Sequence, residues 1–271
     1  YMHGGAYVLC TPGSLRGCTA PIAHALDAAL CVPEYRRPPE HSLSCAIEDG
    51  FEAYRHLLRE YPDSEIVIAG ESAGGGLAAS MLLALRGGPL PMPSSALLMS
   101  PWSDTSGEGS EAGLMHVGST RGSRDYLPLG LVNMFAGLAR GDLPQHEAPA
   151  SPLYAAGSLA DLPPIFVLYG LDEVLCGQIE HFVARWRGHG ARISELGVEG
   201  GVHAPVLFSF CHVPSRDALQ ELNRFFSFDP ERVGADTSSG PPAAGGEGGD
   251  GGRRQAPAHA ELMVGLVEAA L

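Results

Sequence analysis

The chain has 271 residues, 45% of them hydrophobic and 18% charged, which is enough for one large domain or two small ones. A net charge of −14 argues against a nucleic-acid partner, which would require a basic face. No run of about 18 apolar residues is present, so no membrane span is expected and membrane association of this segment is disfavoured. No basic stretch followed by an apolar one marks a signal peptide, which leaves a cytoplasmic location as the default expectation.

The chain opens on Tyr1-Met2-His3-Gly4-Gly5, inside a motif, so a missing natural N-terminus is expected. His3 to Tyr7 is a glycine-rich turn whose amides can face a ligand without Cβ interference. Pro21 to Ala29 predicts a helix, and Leu30 to Tyr35 a strand that Pro33 weakens. Ile47, Phe51, Tyr54 and Leu58 recur at helical spacing between Ala46 and Glu60, and the helix should end before Pro62.

Ile66 to Ala69 is a short apolar run rich in β-branched residues, the pattern of a buried strand. Gly70-Glu71-Ser72-Ala73-Gly74 follows at once, then a segment dense in helix formers to Leu85. Strand, glycine-flanked serine and helix together give the context of a nucleophile elbow. A chain that turns from strand to helix in about one residue forces the serine into strained geometry, and only small neighbours fit beside it.

Ala96 to Met99 is another short strand. Thr105 to Arg124 lacks periodicity and is expected to form a mobile loop. Tyr126 to Ala139 is expected to be helical in part, with Leu131, Met134, Phe135 and Leu138 on one side. Ile165 to Tyr169 predicts a buried strand, Ile179, Phe182, Val183 and Trp186 a helix face, and Arg192 to Val198 a strand. Ser215 is expected to cap a last helix reaching Phe226, with Leu219, Leu222 and Phe226 inward. The sequence from 236 to 258 is Gly, Pro, Ala and Ser with scattered charge, a disordered composition, and 261–271 has the makings of a short helix.

Strands alternating with helices imply a mostly parallel sheet flanked by helices, an α/β fold. In such a sheet ligands sit beyond the carboxyl ends of the strands. Ser72 follows one strand, Asp172 and Glu173 a second, and His203 a third. That is the Ser, Asp/Glu, His order of a hydrolase in which a histidine takes the serine proton and an acid holds its tautomer. Six cysteines show no Cys-x-x-Cys pair and eleven histidines no His-Glu-x-x-His pattern. Neither a metal nor an organic cofactor is expected.

Several blocks in order resemble the hormone-sensitive-lipase branch of the α/β-hydrolase superfamily. His3-Gly4-Gly5-Ala6-Tyr7 is similar to its His-Gly-Gly-Gly-aromatic motif, and Glu34 to His41 to its Asp-Tyr-Arg-Leu-Ala-Pro-Glu-His block. Gly70 to Gly75 resembles its Gly-Asp-Ser-Ala-Gly-Gly elbow, with Glu71 for Asp. Ser100-Pro101-Trp102, Ser151-Pro152-Leu153 and Glu199-Gly200-Gly201-Val202-His203 also match. The resemblance implies an α/β-hydrolase domain over 1–228 with a partial cap at 105–150, and composition makes 229–260 a disordered stretch after it. It implies Ser72 as nucleophile, His203 as general base, and the amides of Gly4, Gly5 and Ala73 as the oxyanion hole. Counting back from Leu175 favours Glu173 as the acid, with Asp172 the alternative.

The expected activity is hydrolysis of small-molecule carboxylic esters with small or medium acyl groups, through an acyl-enzyme. The alternatives are a receptor-like member that binds without turnover, which would lose the base that His203 supplies, and an inactive truncated copy. Ala6 in place of the third glycine is expected to keep a negative φ. Of the strand entering the oxyanion turn only Tyr1 and Met2 are present, so a bare gap beside Ile66 to Ala69 is expected.

Overall fold

The computed structural model describes residues 1–106 and 125–226. The expectations for the loop at 107–124 and for the segments after 226 therefore lie outside the described residues. Four strands form one parallel sheet in the order β1 (Val67–Glu71), β2 (Ser95–Met99), β3 (Ile165–Gly170), β4 (Ile193–Val198). Parallel strands need helical crossovers, and these supply α3 (Ala73–Leu85) after β1 and α5 (Cys176–Gly188) between β3 and β4. The remaining helices are α1 (Arg16–Leu26), α2 (Leu43–Glu60), α4 (Leu129–Arg140) and α6 (Val213–Phe226).

Alternation along the strands divides the core in two. Ala96 and Leu98 of β2 and Ile165, Val167 and Tyr169 of β3 join a large apolar cluster with α2, α3 and α5. Leu97, Met99, Phe166 and Leu168 face the other way, onto Ile22 of α1 and Ala218 and Leu222 of α6. With both faces covered, β3 is buried throughout its length, as its continuous apolar run requires. Among the described residues no helix is long and apolar enough to cross a membrane.

Three expectations are corrected, and the packed side of one helix is settled. Leu30 to Tyr35 is not a strand: Pro33 has no N–H to donate, and the tie to its neighbour is the main-chain nitrogen of Tyr1 on the Cys31 carbonyl at 2.7 Å. The first helix starts at Arg16, with Pro21 inside it, and ends where Asp27 turns left-handed at φ 47°. In α4 the packed side is made of small residues, Val132, Ala136 and Ala139, while Leu131, Met134 and Leu138 are 42%, 51% and 45% exposed. Small side chains let that face approach the core closely, and the bulky stripe is left outside. The last helix begins at Val213, so Ser215 sits buried in its first turn. The Ser215 hydroxyl meets His212 Nδ1 at 2.6 Å, where a capping bond at the helix entrance was expected from Ser215 itself.

The gap expected beside β1 is occupied only at one point. Met2 forms a single parallel bridge with Gly70, and its amide donates to the Ala69 carbonyl at 2.8 Å. That one residue seats the glycine-rich turn against the strand that carries Ser72.

Candidate active site

The site lies at the carboxyl ends of β1, β3 and β4. Ser72 stands between β1 and α3 with φ 56° and ψ −125°, the strained geometry expected of an elbow. Close packing holds it there. A Cβ on Gly74 would lie 2.1 Å from the Met2 carbonyl, and one on Gly70 would lie 2.3 Å from the Gly74 carbonyl. The Ser72 amide donates to Met99 O at 2.9 Å, and its carbonyl accepts from Trp102 at 2.8 Å, so the elbow is fastened to the end of β2.

His203 Nε2 lies 2.8 Å from Ser72 Oγ, and its Nδ1 lies 3.3 Å from Glu173 Oε1. Glu173 is fully buried and His203 is 4% exposed. The tautomer with hydrogen on Nδ1 satisfies both contacts, leaving Nε2 to accept the serine proton. Burial works against the charged imidazole, but the hydrogen bond and charge of Glu173 outweigh it, with Asp125 and Glu71 adding to the same side. The net result lies above the ordinary histidine value. The structure thus brings Ser72, His203 and Glu173 together. Asp172 is half-buried, and its amide donates to Gly201 O at 2.9 Å, tying the two loops through the backbone.

The glycine-rich turn departs from expectation at two residues. The Gly4 amide does not face the serine: it donates to Glu71 Oε2 at 2.7 Å. A donor already bound to a carboxylate is not free for a developing oxyanion. Ala6 has φ 54° and Tyr7 φ 65°, so the left-handed turn is made without a third glycine, at about 1–2 kcal/mol for each such residue. Anchors offset that strain. The Tyr7 hydroxyl donates to Trp102 O at 3.1 Å, and the Tyr35 hydroxyl donates to His3 O at 2.6 Å while its ring stacks on His3. Among the described residues, the amides of Gly5, Ala6 and Ala73 have no acceptor.

Three residues of the site carried no sequence-based assignment. Glu71 is 3% exposed, and burial pushes its carboxyl up to about 7 although the Gly4 amide pulls the other way. Ser100, buried and at φ 43°, donates to Glu173 Oε2 at 2.6 Å and accepts from the Ala204 amide at 3.0 Å. Its place directly after β2 was a usable signal, since chemistry in this fold gathers at strand ends. The third is Asp125, which accepts from the amides of Val174 at 2.7 Å and His203 at 3.3 Å. It lies where the sequence has no pattern, and nothing there pointed to it.

A family model described as alpha/beta hydrolase fold matches residues 1–207. The chain belongs to this family, in its hormone-sensitive-lipase-like branch. An acetyl-hydrolase of Streptomyces hygroscopicus is 39% identical over 178 residues, 65% of this chain and 56% of that protein. The putative acetyl-hydrolase LipR of Mycobacterium tuberculosis is 33% identical over 179 residues, 65% and 55% of the two chains. The match therefore spans just over half the length of these curated relatives. Among solved structures, EstE5 soaked with p-nitrophenyl butyrate superposes with a TM-score of 0.75 at 31% identity, covering 87% of this chain and 76% of its own. A hormone-sensitive lipase from a metagenome library gives 0.75 at 26% identity, covering 86% and 75%.

Proposed function

We propose that this hydrolase-fold chain is a serine carboxylic-ester hydrolase that works through an acyl-enzyme. The reading rests chiefly on Ser72 Oγ, held at positive φ, 2.8 Å from a histidine nitrogen whose other nitrogen meets a buried carboxylate. Ser72 attacks the ester carbonyl as His203 Nε2 takes its proton. Glu173 holds the imidazole in the required tautomer and stabilises the imidazolium that forms. The amides of Gly5, Ala6 and Ala73 receive the oxyanion of the tetrahedral intermediate, each worth roughly a hundredfold or more in rate. The imidazolium then protonates the departing alcohol. Water, deprotonated by the same nitrogen, releases the acyl group from Ser72.

Small or medium acyl esters are the proposed substrates. Supporting this are the relatives' names, acetyl-hydrolase in two cases, and the butyrate ester soaked into EstE5. The test is a burst of p-nitrophenol from the acetate and butyrate esters, together with fluorophosphonate labelling of Ser72 located by mass spectrometry. Labelling of wild type but not of Ser72→Ala is expected. Absence of both burst and label in folded protein would overturn the reading.

A further inference from the structure

The acid and the base sit on two loops that leave neighbouring strands, Glu173 three residues beyond β3 and His203 five beyond β4. Their contact is long at 3.3 Å, so its geometry depends on how the loops are held together. Ser100 performs one such tie from inside the sheet, joining the Glu173 carboxylate to the Ala204 amide. Asp125 performs a second from outside. One of its oxygens accepts from Val174, the residue after the acid, and the other from His203 itself. Both bonds reach far along the chain, over 49 and 78 residues. Among the described residues its other hydrogen bond is to the Leu127 amide at 3.4 Å, a local turn contact, and no cation there pairs with it. The carboxylate is thus satisfied by main-chain amides of the two loops that carry the reacting pair. Tyr126, next in sequence, places its ring 6.3 Å from the His203 ring, so this segment lines the outer side of the imidazole.

We propose that Asp125 is a positioning residue: its carboxylate clamps the loop of Glu173 to the loop of His203 and so keeps the acid–base pair in register for proton transfer. The inference rests on the serine-hydrolase reading for its catalytic consequence; its effect on the imidazole comes from the two amide bonds together with the nearby negative charge. An asparagine has one acceptor oxygen and a donor amide, so it satisfies one of the two amides and turns an N–H toward the other. The charges that act on the imidazole are those of Glu173, Asp125 and Glu71, and Asp125→Asn removes only one of them.

The experiment compares wild type, Asp125→Asn and Asp125→Ala, each checked for folding by circular dichroism. Hydrolysis of p-nitrophenyl acetate should lose about tenfold or more in kcat, with KM little changed, and the acid limb of the pH profile should move to lower pH. The His203 imidazole, followed by nitrogen-15 NMR and assigned through His203→Asn, should titrate at lower pH in Asp125→Asn than in wild type. The titration reads the hold of Asp125 on the imidazole, through its charge and its two amide bonds, even in a chain that turns nothing over, so failure of the ester-hydrolase reading and failure of this proposal are separate outcomes. An unmoved titration with an unmoved pH profile in folded Asp125→Asn overturns the proposal. So does a change in KM alone, which would make Asp125 a contact for substrate.

Discussion

Glu71 offers the sharpest test of the site's electrostatics. Its carboxyl is buried between β1 and the glycine-rich turn and is pushed up to about 7 from an ordinary 4.5. A raised acid pKa means the folded chain holds a proton that the unfolded chain releases. The associated stability is therefore complete below about 4.5 and is lost as the pH rises through about 7. Glu71→Gln keeps an oxygen for the Gly4 amide and never carries the charge. From the two values, the variant should be more stable than wild type by about 1 kcal/mol at pH 5 and about 3 kcal/mol at pH 8. Urea denaturation at both pH values measures this directly. A gain that does not grow between pH 5 and pH 8 would refute the argument, and would mean that the Gly4 bond and local solvent already stabilise the charged form.

Replacing Glu173 by Ala should lower kcat by about a hundredfold or more, whereas Asp172→Ala should stay within a few fold; the reverse ranking in p-nitrophenyl ester assays would move the acid to Asp172. Because His203 is raised above the ordinary histidine value and acts as base only when neutral, kcat/KM should fall as the pH drops through that raised value; a limb below the ordinary value would contradict it. Gly74→Ala should destabilise by about 1–3 kcal/mol or fail to fold, since its methyl would lie 2.1 Å from Met2 O, and thermal denaturation would expose a tolerated methyl at once.

The legible parts of this fold are the ones whose signal is local. Three strands were read from short apolar runs and the fourth from Arg192 to Val198, and α5 from Ile179, Phe182, Val183 and Trp186, all of which are buried. Leu30 to Tyr35 failed as a strand because a strand is defined by its neighbour, and periodicity does not report the neighbour. In α4 a common side for Leu131, Met134 and Leu138 did not say which side packs, and the small residues Val132, Ala136 and Ala139 make the closer contact. At the site, motif and order named Ser72, Glu173 and His203, which the structure brings together. The Gly4 amide was misassigned because its partner, Glu71, lies 67 residues away. Asp125 was missed for the same kind of reason: what defines it is two amides on distant loops.

The positive φ of Ser72 has a consequence for any attempt to improve this protein by selection. A backbone at φ 56° penalises every side chain with a Cβ and spares glycine. The most comfortable residue at this position is therefore one with no hydroxyl at all. A screen that rewards heat resistance alone would drift toward Ser72→Gly and discard the proposed nucleophile while the fold became sturdier. Reactivity here is kept against the grain of the local backbone, and only selection for turnover itself preserves it.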